Sequence, residues 1–265
     1  VPAHATAAST VYQNVDAAIT GAKDYNKEAS SYFQYLTGEG KAWDLVVVQN
    51  AAQAQPFMDA GFMNAAYAPQ TDDGWKTVDE LPASWQYFGF DFSIYTNTEM
   101  PWQSKYDPSV RVPAAPVNYN PVGMYRHAFT LDDTQLQGNG RVIISFQGVE
   151  SAYYVYVNGK EVGYSEDTFR PHEFDITDYL NPKGEENLLA VKVHKFSDNT
   201  WTEDQDMLYD GGIFRDVFIY SVPVAQMVDY KVETHLKDNY TNADLKLDVS
   251  LKNHSTSQFA NLAVD

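Results

Sequence analysis

Carboxylates crowd one short stretch of this chain, Ser197–Asp216, which reads SDNTWTEDQDMLYDGGIFRD. Asp198, Glu203, Asp204, Asp206 and Asp210 stand there among Trp201, Met207, Leu208, Ile213 and Phe214, with a Gly-Gly pair between. A merely solvated loop does not usually keep so many large apolar side chains. Carboxylates accept hydrogen bonds from hydroxyl groups, and aromatic faces cover the apolar side of a pyranose ring, so the combination suits a sugar site. The alternative is an ordered loop whose acids are capped by Arg215 or Lys195, and composition alone tips slightly towards it. The stretch is too irregular for a buried strand or an amphipathic helix. A scaffold must hold it.

That scaffold reads as β. Tyr (19 residues) and Phe (14) are abundant, which favours strands over helices. Strand patterns run through 35–49, 120–131, 141–149, 152–167, 174–180, 187–196 and 213–222. Asn158-Gly159 between two apolar runs is a hairpin signal, because both turn residues must take positive φ. Residues 50–68 allow one short helix, and IYTNTEMPWQ (94–103) reads as an irregular connector. The four prolines of 107–121 keep that section out of a sheet interior. Short turns between strands predict an all-β fold, an antiparallel jelly-roll sandwich over 31–222, preceded by an extended arm over 1–30. After Pro223 two cleanly alternating runs, 228–236 and 243–253, restart the pattern. An immunoglobulin-like sandwich needs about 100 residues, so 223–265 is expected to be an incomplete domain of that kind.

Charge and composition exclude several functions. The formal charge of −18 repels nucleic acid and anionic membranes, and no Lys/Arg cluster offsets it. No apolar run approaches the ~18–20 residues needed to cross a bilayer. With no cysteines there is no thiolate catalysis, thiolate zinc site or disulfide. His127, His172 and His194 lack ligand spacing. Trp102 and Trp201 are expected in the core rather than on sugar, Asp198 and Asp210 as shapers of the loop, and Arg126 and Arg215 as ion-pair partners. The small, Ala-rich opening VPAHATAAST is compatible with a cleaved leader, hence a secreted or cell-surface protein, with the cytoplasm as the alternative.

The boxes LPASW (81–85), IYTN (94–97), NPVGMYR (120–126), GVESAYYVYVNGKEVGYSED (148–167), EFDIT (173–177) and EDQDMLYDGGIFRDV (203–217) together resemble the amino-terminal part of family-2 glycoside hydrolases. The branch they resemble is the bacterial β-galactosidases. Leu208-Tyr209 departs from the Trp usual after DQDM, so β-glucuronidase and β-mannosidase remain alternatives for the substrate, as does a free-standing carbohydrate-binding module for the class.

The resemblance implies a jelly-roll sugar-binding domain, then an immunoglobulin-like domain, then a (β/α)₈ barrel carrying both catalytic glutamates of a retaining enzyme. On that reading no catalytic residue lies within this chain, which by itself would be inactive. The resemblance assigns Asn97 and Asp206 to the galactose subsite, and Asp206 also to a sodium ion completed by the barrel. It allows magnesium in the barrel and implies no cofactor for this chain alone. The implied partners are a terminal β-galactoside such as lactose and the remaining domains of the same chain, with a homo-oligomer allowed for the whole enzyme.

Overall fold

The computed structural model describes residues 11–24, 27–131, 140–203 and 205–257. The strands are, in chain order, β1 (Phe33–Tyr35), β2 (Trp43–Val48), β3 (Lys76–Val78), β4 (Ile94–Thr96), β5 (Val122–Phe129), β6 (Arg141–Phe146), β7 (Val149–Glu150) and β8 (Ala152–Val157). They continue with β9 (Lys160–Ser165), β10 (His172–Asp175), β11 (Asn187–His194), β12 (Met207–Tyr209), β13 (Gly212–Ile213), β14 (Val217–Val222), β15 (Ala225–Lys237) and β16 (Asn242–Asn253). Among the described residues the α-helices are α1 (Val15–Asp24), before the first strand, and α2 (Ala51–Asp59), between β2 and β3.

Two antiparallel sheets form the sandwich, one in the order β1-β14-β6-β10 and the other β3-β2-β5-β11-β8-β9. Strand alternation aims every second side chain inward. Tyr125, Leu189, Val191, Tyr153 and Val155 of the wider sheet thus meet Ile144, Phe146, Val217 and Ile219 of the narrower one, all with exposures of 1% or less. Each such side chain contributes about 1.5–3 kcal/mol by leaving water. The β8–β9 hairpin turns at Asn158 and Gly159, whose φ values of 50° and 80° are the ones an Asn-Gly turn demands.

The outer face of the wider sheet is buried too. Val46, Met124, Tyr156 and Ala190 pack under Ala54 of α2 and under Phe62 and Trp75. Asn50 starts α2, its side chain accepting from the Gln53 N–H at 3.1 Å. The 50–68 segment is therefore a lid on the sheet. Its presence explains why β5 is buried on both faces along nearly its whole length.

Several expectations need correction. The segment 1–30 is not simply an extended arm, because Val15–Asp24 is helical; residues 1–10 lie outside the described ones. A short strand, β1, precedes the run expected to be first and pairs with β14. The 174–180 run is a strand only to Asp175 and then a 3-10 turn over Thr177–Tyr179, where Asp175 takes the Thr177 N–H and hydroxyl. The 94–103 connector contains strand β4, and the irregular acidic stretch contains β12 and β13.

β15 and β16 form one long hairpin. Its register places Met227, Tyr230, Val232, Leu236, Leu245, Leu247 and Leu251 on one face, all exposed. The other face carries Lys231, Glu233, Lys237, Asp244, Lys246 and Asp248, joined by ion pairs such as Lys231–Glu233 at 2.7 Å and Lys246–Asp248 at 2.8 Å.

Candidate functional site

The acidic stretch finds its partner strand more than a hundred residues earlier. β12 pairs with β4 in the register Met207↔Thr96, Leu208↔Tyr95 and Tyr209↔Ile94, making a two-stranded ribbon. Asn97 follows β4 and Asp206 precedes β12, each in a bend at the same end of the ribbon. Both are exposed. Tyr95 and Leu208, paired and exposed, mark the outer face of the ribbon, and the Tyr95 hydroxyl donates to Asp206 Oδ1 at 2.6 Å. The two residues singled out from sequence thus flank the same end of one ribbon.

The inner face anchors the ribbon. Tyr209 is 2% exposed and, with Ile94, joins a cluster of Met100, Trp102, Tyr119 and Phe196. At the ribbon's base the Ser93 hydroxyl donates to Asp210, directly across from it in the register. Just before, Lys195 donates from Nζ to Asp91 Oδ2 at 2.7 Å and to the Phe92 carbonyl at 2.8 Å. Both side chains of that pair are buried, Lys195 completely. Asp91 also accepts from the Tyr119 hydroxyl, from Gln86 Nε2 at 3.1 Å and from Trp85 Nε1 at 3.4 Å. Burial pushes the Lys195 ammonium below its usual range, against the pull of Asp91, Glu150 and Asp210. Burial and then the bond to Asp91 push the Tyr119 phenol up.

Glu150 of β7 lies beside this pair. Burial, reinforced by the negative charge of Asp210, raises its carboxyl to about 8, and Lys195 opposes the rise. Glu203 fastens the loop from the other side: its carboxylate accepts the Thr168 N–H at 2.8 Å and the Thr168 hydroxyl at 2.7 Å, while burial raises its pKa. Trp201 donates to the Ala114 carbonyl at 2.9 Å and packs edge-on to Trp102, which is fully buried. Asp198 bonds with Glu166. The Tyr164 hydroxyl holds the Glu166 carboxyl down, yet burial and the Asp198 neighbour together carry it above its usual range. Asp204 lies outside the described residues.

Two of the expected partnerships differ. Lys195 pairs with Asp91, not with an acid of the loop. Arg126 and Arg215 bond to carbonyls: Arg126 to Phe62 at 2.8 Å, and Arg215 to Phe169 at 2.8 Å and Gln147 at 3.4 Å. Arg126 ties the backbone of the lid to the middle of β5, and Arg215 ties two loop carbonyls together, work a fork of N–H donors does without a carboxylate.

Sequence reasoning misses how the glycines work. The Trp85 indole, fully buried, slots between Gly123 of β5 and Gly211 behind β12. A Cβ on Gly123 would lie 2.7 Å from Trp85 Cε3, and one on Gly211 2.6 Å from Cε2. The Trp85 N–H also donates to the Gly211 carbonyl at 2.9 Å. The LPASW, NPVGMYR and DGG boxes therefore meet at one point. A Gly-Gly pair and a lone Trp box are the available signals, but only the fold brings them together.

No group of three or more His, Asp or Glu side chains is arranged to hold a metal among the described residues.

The model for the glycosyl hydrolases family 2 sugar binding domain matches residues 64–223. The β-galactosidase of Priestia megaterium (strain DSM 319 / IMG 1521) is 38% identical over 244 residues, covering 92% of this chain and 22% of that protein. The β-galactosidase of Clostridium acetobutylicum is 45% identical over 189 residues, 71% of this chain and 20% of that one. The chain thus spans about a fifth of these relatives' length. Among solved structures, a Bacteroides uniformis β-glucuronidase superposes with a TM-score of 0.56 at 21% identity, covering 84% of this chain and 22% of the other. Its likeness is one of fold. With most of the sandwich and the whole ribbon inside the matched residues, the chain belongs to glycosyl hydrolase family 2 and contains that family's sugar-binding domain.

Proposed function

We propose that this chain is the non-catalytic sugar-binding part of a retaining β-galactosidase and contributes Asn97 and Asp206 to the galactose subsite. The supporting observation is the ribbon register, which brings an exposed amide and an exposed carboxylate to the same end of an anchored ribbon. Asn97 offers sugar hydroxyls both a donor and an acceptor, and Asp206 accepts. A sodium ion bound there would draw one oxygen from Asp206 and polarise a sugar hydroxyl. The parent enzyme acts on terminal β-galactosides such as lactose, with its two catalytic glutamates in a barrel outside these residues. The β15–β16 hairpin opens an immunoglobulin-like sandwich whose further strands cover its apolar face.

The test compares the whole gene product with the 265-residue chain on a chromogenic β-galactoside. The chain alone should show no turnover. In the whole enzyme Asp206→Ala should lower kcat/KM about 10–100-fold and Asn97→Ala about 3–10-fold, the range expected for hydrogen bonds to a charged and a neutral group. Unchanged kinetics in both variants, with and without sodium, remove these residues from the subsite. Galactose binding by the chain, with no effect of either residue on turnover, favours a free-standing carbohydrate-binding module instead.

A further inference from the structure

The outer face of the ribbon holds one more group with a defined task. We infer that Tyr95 is a positioning residue that holds the Asp206 carboxylate in its sugar-facing orientation. The inference rests on the proposed role of Asp206 but concerns a different side chain.

Three observations carry it. Tyr95 is 60% exposed although it sits in a strand whose neighbours Ile94 and Thr96 turn inward, so packing alone does not account for a phenol there. Its hydroxyl donates its proton to Asp206 Oδ1 at 2.6 Å, a diagonal cross-strand contact that the register makes available to a long aromatic side chain. Its strand is fixed at the base, through the Phe92 carbonyl held by Lys195 and through the Ser93–Asp210 bond.

The physical consequence concerns freedom. A carboxylate on an exposed strand end rotates about its Cβ–Cγ bond, and ordering it on binding costs entropy. A donor fixed to one oxygen holds the plane of the group before a ligand arrives. It occupies one of about four lone-pair directions, which leaves others for a hydroxyl or a hard cation. The phenol spans the diagonal by itself, so the arrangement needs no second donor.

The experiment uses the whole enzyme and four proteins: native, Tyr95→Phe, Asp206→Asn and the double variant. Tyr95→Phe keeps the ring and deletes only the hydroxyl. It should raise KM for a galactoside about 3–10-fold with a smaller change in kcat, and weaken sodium activation by a similar factor, while the unfolding midpoint stays put. In the Asp206→Asn background the same change should add less than about twofold, since its target is gone. Equal effects of Tyr95→Phe in both backgrounds overturn the positioning role, as does unchanged KM in Tyr95→Phe. If Asp206→Asn is itself without effect, the subsite reading fails first, and the inference with it.

Discussion

Removing either member of the Asp91–Lys195 pair should loosen the ribbon at its root. Lys195 is completely buried and Asp91 nearly so, so neither charge has water to fall back on. Stripping one partner from a buried pair typically costs about 3–5 kcal/mol. Asp91→Asn strands the ammonium, and a ceiling follows from acid–base chemistry. Shedding a proton from an ordinary lysine at pH 7 costs about 5 kcal/mol, at about 1.36 kcal/mol per unit of pH below about 10.4. Burial already holds Lys195 below that range, so the penalty belongs under the ceiling. Lys195→Met should cost about 3 kcal/mol, because Asp91 keeps the Tyr119, Gln86 and Trp85 donors. The double variant Asp91→Asn/Lys195→Met should cost about 2–3 kcal/mol less than the two single losses summed, which is the coupling of the pair. Urea unfolding followed by tryptophan fluorescence reads all four proteins, since the Trp85 indole itself bonds Asp91. Part of the Asp91→Asn loss should return as pH rises towards the ordinary lysine range, because the buried group sheds its proton before the unfolded chain does. Single variants within about 1 kcal/mol of native, or a double variant equal to the sum of the singles, would show that the pair does not hold the ribbon.

Gly211→Ala should destabilise the fold by about 1–3 kcal/mol, since its methyl group would meet the Trp85 indole; native stability with unshifted tryptophan emission contradicts the slot. Glu150 bears on pH dependence. Its folded pKa of about 8 lies above the unfolded value, so the native state holds a proton that the unfolded chain releases, and stability falls as pH rises from about 4.5 to 8. Solvent reaches part of this side chain, so the loss between about pH 4.5 and 7 is at most about 3 kcal/mol. Glu150→Gln should flatten that limb of a stability-against-pH curve, and a slope equal to the native one would acquit the residue.

The sandwich is legible because most of its strands carry their own signals: an Asn-Gly turn between β8 and β9, apolar runs in β2 and β11. The hairpin beyond it is legible too, from the alternation in β15 and β16. The ribbon is not, because β4 and β12 are three residues each and depend on a partner across the fold. Asn97 and Asp206 come from the resemblance of their motifs, and nothing in their local sequence announces that they lie at one end of one ribbon. Arg126 misleads for a related reason. Its carbonyl partner at Phe62 belongs to the lid, and backbone acceptors leave no trace in a sequence. Val15–Asp24 hides as a helix because Ala and Thr dilute its pattern, with Val15 and Ile19 left exposed.

The hairpin after Val222 bears on how this polypeptide behaves in a tube. Seven aliphatic, thioether or aromatic side chains exposed along one face are a surface that another such face will adhere to. Concentrated samples should cluster through this face, and the charged rows on its back set the salt concentration at which they do. Swapping Val232 and Leu247, a facing pair, for threonines should keep the strands and disperse the clusters.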